Sequence, residues 1–397
     1  MERLLIHTPE GVKDVYGAEL AGKKALGKRI HEALAAFGYR EIRTPSFEFF
    51  DVFSREVGTT PSKDLFKFFD KEGNTLALRP DFTPSVARCA AKYFLEDGMP
   101  VRLCYEGNAF VNTSELQGKL KENTQMGAEL LGDASADADA EMLCLVIEGL
   151  KRCGLERFTV SVGEIEFFKG ICEECGLDEE TISELREQIS VKNYFGAEEI
   201  LSNAGVAEHY LKLLRHAGDV CTLEELTETK KMVSNLRSMN AIERLIRVYE
   251  LVEQYGLAEY LSFDLGMLSK FHYYTGVIFK AYTYGVGDAV VKGGRYDELL
   301  ARFGKPAPAV GCVFLLDDLE AALSAQGGLH EEPEAISWII YDEEGRADAL
   351  EEIRKLREQG LRVSGILYDP AIGREAYTDY AAKQQIRYVR FYGSMEA

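Results

Sequence analysis

Apolar residues recur at helical spacing after Thr8-Pro9-Glu10-Gly11-Val12-Lys13-Asp14. Leu26, Ile30, Leu34 and Phe37 form one stripe, while Lys23, Lys24, Lys28 and Arg29 fill other faces. This pattern predicts a long amphipathic helix closed at Gly38. Alternation then takes over, predicting a strand at 39–44 that Pro45 ends. Two further apolar runs, 65–70 and 75–80, flank Lys71-Glu72-Gly73-Asn74 and predict a β-hairpin by their turn chemistry. A helix over about 84–94 leads to strands at 101–105 and 124–131, separated by a polar loop over 112–123.

A helix near 137–153 and a strand at 158–162 come next, after which the chain turns helical and acidic over about 170–260. Strand character resumes at 260–265 and continues through 277–282, so 170–260 reads as a helical insertion. Runs of strands with few helical crossovers predict an antiparallel sheet flanked by helices, an α+β architecture. The domain reading is a core over 1–325, a linker over 326–335 and a small module over 336–397. In the last, strands at 336–341, 363–367 and 386–391 with a helix at 347–359 predict a parallel α/β unit.

Composition narrows the function classes. The 397 residues suffice for roughly two or three cored domains. The net charge is -20, and nucleic-acid affinity comes largely from Lys and Arg on phosphates, so this balance argues against a dedicated tRNA binder. No stretch approaches a membrane span, and the opening apolar run is too short for a signal peptide; a cytoplasmic location is expected. Of eight cysteines, only Cys172 and Cys175 form a CxxC pair, with no matching second pair or histidines nearby. The six histidines show no ligand spacing. No metal site is expected.

Four patterns carry chemistry: Thr8-Pro9-Glu10-Gly11, Leu78-Arg79-Pro80-Asp81-Phe82-Thr83, Gln125-Met126-Gly127-Ala128-Glu129, and Tyr273-Tyr274-Thr275-Gly276 followed by Gly293-Gly294-Arg295-Tyr296-Asp297. In this order they resemble histidyl-tRNA synthetase, a class II aminoacyl-tRNA synthetase, over roughly the first 325 residues. The resemblance implies that Asp81, Thr83, Gln125, Glu129, Tyr273 and Tyr274 line a histidine pocket, with His272 as a wall. Carboxylates suit an α-ammonium, and a tyrosine hydroxyl with an acidic group suits the imidazole nitrogens. For Arg79 and Arg295 the alternative reading is internal ion pairing only, and the set as a whole favours a binding site.

The same resemblance locates losses. Where the family places arginines on ATP, this chain has Val111 after Phe110, Ser269 before the paired tyrosines, and Asp318 after the strand that runs through Val310 to Leu316. Adenylate formation needs guanidinium forks on the phosphates; Lys119, Lys121 and Lys270 are point donors only. A synthetase-like chain without these arginines resembles the regulatory subunits of ATP phosphoribosyltransferase. That resemblance implies no catalytic residue and no cofactor, and a dimer within a hetero-octamer with the short-form transferase. It also implies activation of that partner, L-histidine as feedback ligand, and no tRNA or membrane partner. The competing reading is an active histidyl-tRNA synthetase or a related adenylate-forming ligase, which ATP-pyrophosphate exchange separates.

Overall fold

The computed structural model describes residues 6–54, 60–113, 119–268, 273–328, 335–384 and 386–394. It divides into two compact units, Met1–Asp14 with Lys23–Leu329, and Val15–Gly22 with His330–Ala397.

In the first unit, α1 (Gly17–Ala36, from Lys23 onward) buries Leu26, Ile30 and Leu34, the stripe read from the sequence. Gly38 follows at φ +80°, a left-handed turn that ends the helix without a Cβ clash. The next strand, β1 (Arg40–Glu41), is shorter than predicted. Ile42 N–H still reaches the Cys104 carbonyl at 2.8 Å, but the Thr44 and Pro45 carbonyls turn instead to the Arg79 guanidinium. A small antiparallel sheet follows, built of β2 (Phe47–Phe49), β3 (Lys67–Phe69) and β4 (Thr75–Leu78) in the order β2-β4-β3. Its β3–β4 hairpin is the predicted one, with Asp70 accepting from the Glu72 and Asn74 amides to shape the turn.

Helix α2 (Thr83–Tyr93) precedes β5 (Val101–Phe110) and β6 (Glu122–Leu131), which pair from Val101↔Leu131 to Phe110↔Glu122. Then come α3 (Ala136–Arg152) and β7 (Phe158–Glu164), followed by the helical insertion. The insertion comprises α4 (Ile165–Glu174), α5 (Glu179–Ser190), α6 (Tyr194–Asn203), α7 (Glu208–Ala217), α8 (Leu223–Met232) and α9 (Leu236–Gln254). Asp178, Asn193, Thr222 and Asn235 cap four of these helices through their side chains. The unit closes with β8 (Leu261–Phe263), β9 (Val277–Thr283), β10 (Val291–Arg295), β11 (Ala309–Leu315) and α10 (Leu316–Ala325).

The large sheet runs β1-β5-β6-β11-β10-β9-β7-β8, eight strands that are antiparallel except for the edge pairs β1–β5 and β7–β8. Alternation gives its two faces opposite characters. Met126, Ala128 and Leu130 of β6, with Cys312 and Phe314 of β11, enter the main core alongside α1 and α3. Gln125, Gly127 and Glu129 lie at the intervening positions of β6. Beside them a second cluster joins Phe82 and Val86 with Leu103, Tyr105 and Tyr296.

The second unit contains β12 (Ile336–Tyr341), α11 (Arg346–Glu358), β13 (Arg362–Leu367), α12 (Arg374–Lys383) and β14 (Tyr388–Tyr392). Its sheet is parallel, β13-β12-β14, with Ile339, Val363, Ala349 and Ile353 at its core. Helix α12 is absent from the sequence reading because it is largely polar, burying Ala381 while Tyr380 stacks on Trp338 at 5.8 Å. Among the described residues, no helix is long and apolar enough to cross a membrane.

Candidate functional site

Glu129, 1% exposed, is the centre of the second face. Three hydroxyls converge on its carboxylate: Thr83 donates to Oε1 at 3.0 Å, Tyr105 to Oε1 at 3.3 Å and Tyr296 to Oε2 at 2.5 Å. Burial pushes its carboxyl up to about 7, against the lowering effect of these donors; Asp81 adds a further upward push. The strand register explains the placement. Tyr105 pairs with Gly127 and Glu129 with Gly311 across the sheet. A Cβ at residue 127 would collide with the Tyr105 hydroxyl, and one at 311 would fall inside the Glu129 carboxylate. Glycine at these two central-strand positions therefore serves the site at the expense of strand propensity.

Gly311→Ala is accordingly expected to destabilise the fold by about 1–3 kcal/mol, the usual range for overpacking. Most of that penalty should vanish in a Glu129→Ala background, because the clash disappears with the carboxylate. Equilibrium urea denaturation of both single variants and the double variant measures it; additive losses would contradict the contact.

Support for Tyr105 comes from a stack. The Arg79 guanidinium lies 3.8 Å from the Phe82 ring centroid, and Phe82 stacks on Tyr105 at 4.3 Å. Arg79 donates to the Asn108, Thr44 and Pro45 carbonyls, so it acts as internal scaffolding. Asp81 accepts from the Thr83 amide at 2.9 Å, which fixes the entry into α2. Tyr273 and Tyr274 lie with ring centroids 4.6 Å apart and share a hydroxyl hydrogen bond. Burial is the main cause that raises both phenols, and the negative charges of Asp81 and Glu129 add smaller upward pushes.

Five of the six candidate residues, Asp81, Thr83, Glu129, Tyr273 and Tyr274, thus share one electrostatic neighbourhood. Gln125 occupies the same strand face further along β6, where its amide donates to Asn123 at 2.8 Å. Tyr105 and Tyr296 belong to the site although the sequence reading does not assign them to it. For Tyr296 the available signal was its position inside Gly293-Gly294-Arg295-Tyr296-Asp297. The resulting chemistry is two carboxylates walled by aromatic rings and hydroxyls, suited to a small ligand bearing a cationic head and polar ring nitrogens.

At one position where the resemblance expects an arginine, Val111 spends its amide on the Lys121 carbonyl at 2.9 Å and offers no charged group. Asp318 sits in the first turn of α10, where burial raises its carboxyl, Lys292 opposes that rise and Asp288 reinforces it. Lys119 and Lys292 both pair with Asp288, at 3.4 and 3.2 Å. These two lysines thus share one carboxylate. Neighbouring Asp317 is structural, accepting from Lys23 and from the Thr124 amide, each at 2.7 Å. Ser269, Lys270 and His272 lie outside the described residues.

The family model described as Histidyl-tRNA synthetase matches residues 11–319. A protein of Acetivibrio thermocellus named ATP phosphoribosyltransferase regulatory subunit is 40% identical, covering 90% of this chain and 86% of the relative. A protein of Ruminiclostridium cellulolyticum with the same name is 38% identical, covering 97% and 92%. Among solved structures, an ATP phosphoribosyltransferase regulatory subunit/histidyl-tRNA synthetase from Bacillus halodurans superposes with a TM-score of 0.87 at 29% identity, covering 99% of this chain and all of that one.

Proposed function

Because this chain belongs to the family of ATP phosphoribosyltransferase regulatory subunits, built on the histidyl-tRNA synthetase fold, we propose that it senses histidine without reacting with it. In this reading it acts in the cytoplasm with the short-form ATP phosphoribosyltransferase, activating that partner and passing histidine feedback to it. The observation that carries the reading is the contrast between two groups of residues. Around Glu129, carboxylates and hydroxyls suited to an amino acid are assembled and supported. Toward the phosphate side, Val111 and Asp318 stand where adenylation needs guanidinium forks, and Asp288 pairs with both Lys119 and Lys292.

A sensor gains from this combination, since its ligand is bound and released unchanged. Dimerisation through the synthetase-like core and assembly into a hetero-octamer belong to the same proposal. So does a domain plan in which the 336–397 module is a shortened relative of the anticodon-binding domain, joined through a linker at 326–335. The acidic balance, -20 overall, supports a role apart from tRNA.

Calorimetric titration with histidine tests the pocket. Wild type should bind, and Glu129→Ala should lose about 1–3 kcal/mol because a ligand donor is left unpaired in a buried site. The affinity should also rise as pH increases through about 7, where the Glu129 carboxyl ionises, because an ammonium ligand favours the carboxylate form. Free histidine's imidazole titrates near ~6.5, so Glu129→Gln provides the comparison that isolates the pocket's share. No binding by wild type, or equal affinity in Glu129→Ala, would remove histidine from this site.

A further inference from the structure

The pocket and the helical insertion meet on one buried carboxylate. Asp139, in the first turn of α3, is 1% exposed and receives a guanidinium on each oxygen. From the insertion, Arg244 of α9 donates to Oδ2 through Nε at 2.8 Å and Nη2 at 2.6 Å. From the sheet, Arg295 at the end of β10 donates to Oδ1 through Nε at 2.9 Å, with Nη2 2.7 Å from the same oxygen. Both arginines also hold the chain entering α3: Arg244 bonds the Ala134 and Ser135 carbonyls, and Arg295 bonds those of Asp133 and Ser135. Burial pushes the Asp139 carboxyl up, and the two guanidiniums oppose that push.

On its other side Arg295 is built into the pocket wall. Its carbonyl accepts from the Thr275 amide at 2.8 Å, directly after Tyr273 and Tyr274. The following residue, Tyr296, is the one that donates to Glu129. Asp297 closes the loop, accepting from Arg295 Nη1 at 3.1 Å while its amide donates to the Thr275 hydroxyl at 2.9 Å. A parallel backbone tie runs to the insertion, where the amide of Ile165, the first residue of α4, donates to the Gly276 carbonyl at 3.2 Å. Glu164 caps that helix and is itself buried beside Asp139 and Arg244. Charge is not exchangeable in such a setting, because a buried carboxylate deprived of one guanidinium keeps its desolvation cost. One carboxylate therefore joins the pocket strand to α9.

We propose that Asp139 is a positioning residue that ties occupancy of the Glu129 pocket to the order of the helical insertion, through Arg295 on the pocket side and Arg244 on the insertion side. It rests on the histidine reading of that pocket. Coupling of this kind is reciprocal, so whatever restrains the insertion also changes histidine affinity.

Hydrogen exchange of the full chain, read by mass spectrometry with and without saturating histidine, tests it alongside a calorimetric titration of the same samples. In wild type, histidine should slow exchange in β10 and in α4 and α9, by about 5-fold or more. Arg244→Gln should still bind histidine and still protect β10, yet lose the response of α9. Arg247→Gln, which removes an exposed pair with Glu250 on the same helix, should respond as wild type does. An α9 that ignores bound histidine in wild type overturns the link, as does a response preserved in Arg244→Gln or lost equally in Arg247→Gln. Absence of histidine binding in wild type overturns the pocket reading itself, and the link with it.

Discussion

Histidine-dependent ATP-pyrophosphate exchange by the purified chain is expected to be absent. Each prepositioned donor removed from a developing charge costs about 10²–10³ in rate, and on the proposed reading two such positions are held by Val111, whose side chain is apolar, and Asp318, whose charge has the wrong sign. The lysines nearby do not restore the clamp. Lys119 and Lys292 both engage Asp288, and an ammonium lacks the planar fork that grips two phosphate oxygens. Asp318→Arg alone should leave exchange absent, because Val111 still contributes nothing. Robust exchange in wild type would return the chain to the ligases.

The second large effect concerns feedback in the reconstituted pair. If histidine inhibits through the Glu129 pocket, the inhibited assembly binds it more tightly than the active one, typically by about 1–3 kcal/mol. Removing the carboxylate removes the ligand's anchor in both states. Glu129→Gln should therefore leave activation of the transferase intact while shifting the histidine inhibition curve to higher concentration, by tenfold or so per ~1.4 kcal/mol lost. Inhibition unchanged by this variant would put the feedback ligand elsewhere.

Local pattern carried much of the fold. The α1 stripe, the β3–β4 turn at Asp70 to Asn74 and the strands of the C-terminal unit all follow from periodicity and turn chemistry. The strand β10 did not. Val291-Lys292-Gly293-Gly294-Arg295 has too many glycines to read as a strand, and it holds its place through pairing with β9 and β11 on both sides. β2 is only three residues, Phe47-Glu48-Phe49, too short for its alternation to mark a strand, and only its partner β4 defines it.

The site divides in the same way. Asp81, Thr83 and Glu129 stand in short motifs whose spacing is visible along the chain. Tyr105 became a site residue only because β5 and β6 pair in a register that lays its ring over Gly127, and that register is long-range information. Arg295 shows the limit from the other side. Its expected ion pairing is present, to Asp139 and Asp297, but the second arginine on Asp139 comes from α9, distant in sequence.

The most direct test of a regulatory role is transfer of the phosphoribosyl group from phosphoribosyl pyrophosphate to ATP by the short-form transferase, measured alone, with this chain, and with this chain plus histidine. The rate should be low for the transferase alone, rise when this chain is added, and fall again with histidine. A transferase equally active without this chain would contradict the proposal.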